Sequence, residues 1–317
     1  MDIEFLLWLQ NLRIAAGGVL DALMEGASDF VIGTWTYIIL GFIYWCIDKK
    51  AGSRMLLTLG GGSVVLQFMK NTFCVYRPWI RDFRIIPAGE SIKTATGYSF
   101  PSGHTYIATS IFGSIAIWQR KRVWLSAVCG ACVLLVMFSR MYLGVHTPAD
   151  VITSIFLCLI CIWLSNKLLT WADGGKRRDL IVLISGLVIC AAFLIYCKIK
   201  PYPIDYKPDG SVLVDPFEMI TDCYLAAGTL IGFLLGWTVE RHFVKFAETT
   251  DWRVPTVRLL VGAVTSFVFV KFGFEQIILA LGVHWGNLVS FAIVIFWVMA
   301  GVPALFGLIE KITGMRK

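Results

Sequence analysis

Charged residues are scarce: they make up 15% of this 317-residue chain, against about 25% in an ordinary soluble domain. Their scarcity excludes a solvated globular surface. With 57% hydrophobic residues and a mean hydropathy of +0.74, the chain reads as a polytopic membrane protein. The net charge of +7 then concerns orientation in a bilayer. No basic stripe with interleaved aromatics is present, so no nucleic-acid partner is expected. The opening Met1-Asp2-Ile3-Glu4-Phe5 lacks the basic region of a signal peptide. Residues 4–24 interrupt apolar clusters with Asn11, Arg13 and Asp21, which fits either a poor spanning segment or, the preferred reading, an amphipathic interfacial helix over 1–27. The absence of any Asn-x-Ser/Thr acceptor points away from a eukaryotic secretory origin. No external loop carries two cysteines, so the nine present imply no disulfide. Cys129-x-x-Cys132 and Cys158-x-x-Cys161 imitate a zinc site, but both lie in apolar runs where paired thiolates are costly. They read as small buried helix residues.

A spanning helix needs roughly 20 apolar residues. Eight segments qualify, near 29–47, 53–70, 102–118, 123–143, 148–170, 179–198, 221–239 and 286–310. A ninth, near 257–276, is apolar until Lys271 and Glu275, which read as a mutually paired end near the surface. Five basic clusters alternate with the spans: Lys49, Lys50 and Arg54; Arg120, Lys121 and Arg122; Lys176, Arg177 and Arg178; Arg241, Lys245 and Arg253; Lys311, Arg316 and Lys317. Short loops rich in Lys and Arg stay cytoplasmic, which places 70–102 and 143–148 on the outer face. The proline-broken stretch Lys200–Glu218 reads as an external loop. Gly228, Gly232 and Gly236 recur every fourth residue, a pattern for close helix packing.

Three separated patches share the outer face. The first is Lys70-Asn-Thr-Phe-Cys-Val-Tyr-Arg77-Pro78. The second, Pro101-Ser102-Gly103-His104, opens a helix whose unpaired N–H groups suit an anion. Gly103 lets an oxygen approach the backbone there. The third is Ser139-Arg140 through His146-Thr147-Pro148-Ala149-Asp150. Each patch has a plain structural reading as well: snorkelling cations, a helix start, and a capped helix with a satisfied histidine. Together they offer cations and donors aimed at an anion beside two histidines. His146 and Asp150 are one helical turn apart, so the carboxylate can fix the imidazole tautomer. Only His146 has such a carboxylate; it is the better nucleophile, and His104 is left as the acid. His242 and His284 lie away from these patches.

In order, spacing and membrane side, Lys70-x6-Arg77-Pro78, Pro101-Ser102-Gly103-His104 and Ser139-Arg140-x5-His146-x3-Asp150 resemble the signature of the type 2 phosphatidic acid phosphatase superfamily. Tyr76–Asp82 and Gly97–Phe100 further resemble its bacterial sphingosine-phosphate-phosphatase-like branch. The resemblance implies an all-α, polytopic membrane bundle. It would have a haloperoxidase-like catalytic core over 1–172 and extra C-terminal transmembrane helices over 173–317. It implies that Lys70, Arg77 and Arg140 hold phosphate oxygens, with Ser102 and the Gly103 amide completing the cradle. His146 would become a phosphohistidine, Asp150 would orient it, and His104 would protonate the leaving group. Fixed cations here stand where many phosphoryl-transfer enzymes use magnesium, and no carboxylate cluster lies near the motifs. A metal-independent reaction without cofactor is expected.

The expected substrate is a lipid phosphate or pyrophosphate at the outer leaflet of a bacterial cytoplasmic membrane. Undecaprenyl pyrophosphate, phosphatidic acid and long-chain-base phosphates all keep a tail in the bilayer while the head reaches a pocket. A lipid phosphotransferase would use the same site. A transporter or flippase built on the C-terminal helices is the reading from another class, and the near absence of intramembrane charge there opposes it. A homo-oligomer is neither required nor excluded by these features.

Overall fold

The computed structural model describes residues 2–33, 35–207, 210–248 and 253–312. Arg316 and Lys317 of the last basic cluster lie outside these residues. The described chain is helical, and its one β-type pairing is an isolated bridge between Tyr206 and Val212. Among the described residues, six helices are long and apolar enough to cross a membrane. The chain forms two compact units, with α4 (Lys49–Phe73) and α9 (Pro148–Asp173) contributing to both.

Unit 1 comprises residues 1–36, 65–162 and 197–220. Its N-terminal stretch is two helices, α1 (Asp2–Ala15) and α2 (Asp21–Ile32), parted where Gly17 and Gly18 take positive φ. Leu6 and Leu9 of α1 pack on Ile85, Met141 and Val151, and Gln10 is bonded to the backbone of Arg84 and Ile86. The single span expected over 29–47 is carried by two helices, since α2 ends at Ile32 and α3 (Trp35–Phe42) falls mostly in unit 2. The span expected over 102–118 is α6 (Gly103–Ala108), a π-turn (Thr109–Gly113) and α7 (Ser114–Trp118). A short α5 (Pro78–Arg81) precedes them, and α8 (Val123–Tyr142) follows. Cys158 and Cys161 are core residues beside Leu66 and Tyr106. The 197–220 segment packs inward: Val214 and Met219 cluster with Tyr98, and Tyr202 donates to Asn71 Oδ1 at 2.8 Å.

Unit 2 comprises residues 37–64, 163–196 and 221–317. It holds α10 (Arg178–Ile199), α11 (Pro216–Val239), α12 (Arg253–Leu281), α13 (Val283–Phe296) and α14 (Val302–Ile312), some of which begin or end outside it. The glycine stripe does what its spacing predicts. A Cβ at Gly228 would lie 2.3 Å from the Leu288 carbonyl oxygen, and one at Gly232 2.4 Å from that of Ala292. Only glycine admits that approach of α11 to α13. A π-turn at Trp297–Gly301 follows α13, and Trp45 Nε1 and Tyr44 Oη donate to the carbonyls of Val298 and Met299 at 2.8 and 3.1 Å. The ninth candidate span is a full one, since α12 continues past Lys271 and Glu275 to Leu281. No ion pair joins those two residues among the described residues, and both are exposed. Exposed Leu260, Val264, Phe267 and Phe272 give α12 an apolar outer face suited to lipid.

Candidate active site

Unit 1 brings all eight motif residues into one buried region. Lys70 sits in the last turn of α4, where its Nζ donates to the Tyr98 carbonyl at 3.0 Å. Arg77 immediately precedes α5, whose first residue is Pro78, a position where the missing N–H costs nothing. Its guanidinium donates to the carbonyls of Thr96 (2.6 Å), Gly97 and Val145 (both 3.1 Å). Ser102 caps α6 by accepting from Thr105 N, and its own N–H donates to the Asp150 carbonyl at 3.2 Å, tying the second motif to the third. A Cβ added at Gly103 would meet only Leu66 Cδ2, at 3.8 Å, so the backbone stands beside open space.

The plain and the functional readings of the third motif are both present in the same atoms. Asp150 Oδ2 accepts from Thr147 N at 2.8 Å, and Thr147 Oγ1 accepts from Asp150 N at 3.4 Å, a reciprocal cap for α9. The same Oδ2 faces His146 Nδ1 at 3.3 Å. On the other side of the ring, Arg77 Nη1 lies 2.8 Å from His146 Nε2. A guanidinium can only donate, so Nε2 carries the lone pair and Nδ1 the proton. Burial, then the charges of Arg77, Arg140 and Lys70, hold the His146 pKa well below the ordinary imidazole value. The ring is therefore neutral, with its nucleophilic nitrogen aimed at the cations.

Arg140 is fully buried near the end of α8. Its Nη1 bonds Ser28 Oγ at 2.6 Å, while Nε and Nη2 have no partner among the described residues. His104 Nε2 is likewise buried and unpartnered. Arg140, Arg77, Lys70 and His146 all lie close enough to His104 to act on it electrostatically. Buried donors left unmatched by protein are expensive unless an anion completes them.

Two contributors were not legible in the motifs. Ser99 donates to Asp150 Oδ2 at 2.5 Å and lies 3.4 Å from His146 Nδ1, fixing the carboxylate that orients the ring. Ser28, on α2, holds Arg140 from 112 residues away. Arg84 is committed to Asp82 and Glu4 at the surface. His284 stacks on Tyr224 at 5.2 Å between ring centroids, within the sequence that follows the motifs.

Comparison with known proteins supplies the family. The PAP2 superfamily model matches residues 51–173, and the model for the transmembrane extension of PAP2 superfamily phosphatases matches 224–312. A lipid A 4'-phosphatase of Porphyromonas gingivalis is 30% identical over 176 residues, covering 50% of this chain and 72% of the relative. Phosphatidylglycerophosphatase B of Bacillus subtilis is 28% identical over 151 residues, 44% of this chain and 68% of the relative. Sphingosine-1-phosphate phosphatase 2 of Mus musculus is 23% identical over 229 residues, 69% and 58% of the two chains. No solved structure matches. The family matches and the long apolar helices make this an integral membrane phosphatase. The chain belongs to the PAP2 superfamily.

Proposed function

We propose that the protein hydrolyses a phosphomonoester or pyrophosphate on a lipid headgroup through a phosphohistidine, at the extracytoplasmic face of a bacterial cytoplasmic membrane. The undecaprenyl pyrophosphate, phosphatidic acid and long-chain-base phosphate classes fit, and the relatives include proteins named undecaprenyl-diphosphatase and sphingosine-1-phosphate phosphatase. The observation that carries the reading is the pairing of a neutral, oriented His146 with an Arg140 whose free donors face the same buried region. The basic clusters supply the orientation.

An incoming phosphate takes the guanidinium donors of Arg140 and draws Arg77 Nη1 off His146, exposing the Nε2 lone pair. Ser102, Lys70 and the Gly103 amide complete the cradle. Nε2 attacks phosphorus in line as the bond to the lipid oxygen breaks, and Asp150 stabilises the proton on Nδ1. The bound anion favours the imidazolium of His104, which gives its proton to the leaving oxygen. The neutral His104 then takes a proton from water attacking the phosphohistidine, and the N–P bond breaks to release phosphate. Lys70, Arg77 and Arg140 carry the charge neutralisation, so the reaction runs without metal. Residues 1–172 hold every group used; residues 173–317 are a membrane module.

The test is phosphate release by purified protein from a panel of lipid phosphates, with trapping of an acid-labile, base-stable phosphoenzyme. Wild type should release free phosphate in excess EDTA and become labelled on His146. EDTA-sensitive activity restored by magnesium overturns the metal-free mechanism. Transfer of label to a second lipid, in place of free phosphate, marks a phosphotransferase.

A further inference from the structure

Unit 2 contains a cavity of about 350 Å³ that none of the catalytic motifs enters. Five cations border it: Lys49, Lys50, Arg54, Arg241 and Lys245. Two are neutralised locally, Lys49 by Glu240 at 2.6 Å and Arg241 by Asp173. Lys50, Arg54 and Lys245 have no ion-pair partner among the described residues, and Arg54 makes only a long bond, 3.3 Å, to Thr170 Oγ1. Retention of lysine and arginine on the cytoplasmic side accounts for such charges by itself. It does not account for Glu240.

Glu240 opens the π-turn Glu240–Val244, is fully buried, and lines the cavity. Its Oε1 accepts from Lys49 Nζ and from Phe246 N at 3.1 Å, whereas Oε2 has no partner among the described residues. A buried carboxylate oxygen without a donor is costly. The cavity thus presents three uncommitted cations and one uncommitted acceptor, over Trp237. Its volume falls within the range of small-molecule pockets, about 300–1,000 Å³.

We propose that this cavity binds a phosphate group borne by a molecule that also carries an N–H or O–H donor. The phosphate lies against Lys50, Arg54 and Lys245, and the donor reaches Glu240 Oε2. Lipid headgroups of the glycerol phosphate or ethanolamine phosphate type have this chemistry, as do their soluble counterparts. A choline headgroup has the phosphate but no donor. The site is separate from the phosphatase reading, and its test uses no turnover.

The experiment is native mass spectrometry of the full-length protein with dioleoyl phosphatidylglycerol, phosphatidylethanolamine or phosphatidylcholine, beside melting curves in detergent with sn-glycerol 3-phosphate. Wild type should retain the first two lipids over phosphatidylcholine. The double variant Lys50→Gln/Arg54→Gln, made at an exposed and a half-buried side chain, should bind about 30-fold more weakly. Glu240→Gln should narrow the preference over phosphatidylcholine. A melting rise with sn-glycerol 3-phosphate, lost in the double variant and without lipid retention, assigns the site to the soluble ester. Equal retention of all three lipids overturns the proposal. So does binding of lipid and soluble ester that the double variant leaves unchanged.

Discussion

Arg258 in unit 2 and Arg140 in unit 1 are both fully buried arginines on membrane helices, yet their surroundings differ. Arg258 Nε lies 2.8 Å from Glu310 Oε1 and Nη2 3.3 Å from Oε2; Nη1 and Nη2 also reach the carbonyls of Trp45 and Ala247. The Phe306 ring lies 4.4 Å from the guanidinium carbon. Every nitrogen is used, and the charge is cancelled. Arg140 has a serine hydroxyl and no ion-pair partner among the described residues, with two nitrogens unmatched. Lys70 and Arg77 beside it donate to neutral backbone carbonyls. A buried charge left without a counter-charge is unfavourable, and it persists where an arriving anion will use it. Arg258 closes its charge for stability, and on the proposed reading Arg140 holds its donors open for a ligand.

That contrast can be broken at its strongest point by His146→Ala. Turnover should fall by about 10⁴-fold or more, as expected for loss of a nucleophile, while the melting temperature stays within experimental scatter. Equal loss of folding and activity would make His146 a structural residue. Next is Arg258→Met, which takes the guanidinium away from the buried Glu310 carboxylate and should lower stability by about 3–5 kcal/mol. Adding Glu310→Leu should recover most of it, measured by chemical denaturation in detergent. Arg140→Met should do the reverse, costing about 10²–10³-fold in kcat, the scale for one oxyanion donor, with stability unchanged or raised. If Arg140→Met unfolds the protein as Arg258→Met does, the two arginines have the same role.

A smaller effect sharpens the comparison at Gly103. The added Cβ meets nothing closer than 3.8 Å, and alanine is the better helix former. A purely structural glycine predicts that Gly103→Ala is neutral or stabilising in every assay. A backbone amide that touches phosphate predicts a stable protein with kcat/KM lowered by about 10- to 100-fold, the scale of a small misplacement at a reacting centre.

The motifs were readable because each is local. His146 and Asp150 are separated by one turn, Thr147 and Asp150 cap a helix, and Arg77 precedes a proline at a helix start. Long apolar runs disclosed α8, α9, α10 and α11 for the same reason. What escaped depends on distant chain. Ser99 meets Asp150 across 51 residues and Ser28 meets Arg140 across 112, and no periodicity marks a lone serine for such a partner. Lys271 and Glu275 made α12 look finished, whereas both side chains are exposed and the helix continues to Leu281. The end of α2 at Ile32 lies inside an apolar run, where hydropathy carries no signal.

The mildest test concerns the proton on His146. Burial and the three nearby cations lower its pKa, so the ring remains a neutral nucleophile at pH values where an ordinary imidazole, near 6.5, would be protonated. The acid limb of kcat/KM, which reports the base of the free enzyme, should therefore lie below that value, with activity level as pH falls through it. A phosphomonoester substrate itself titrates near pH 6, which obscures the limb in any one profile. Comparing two enzymes on the same substrate removes that contribution. Lys70→Gln deletes one of the cations acting on the ring, so the variant's imidazole is easier to protonate and its acid limb should move to higher pH. Superimposable limbs for wild type and variant would mean that the fixed cations of unit 1 do not set the protonation of His146.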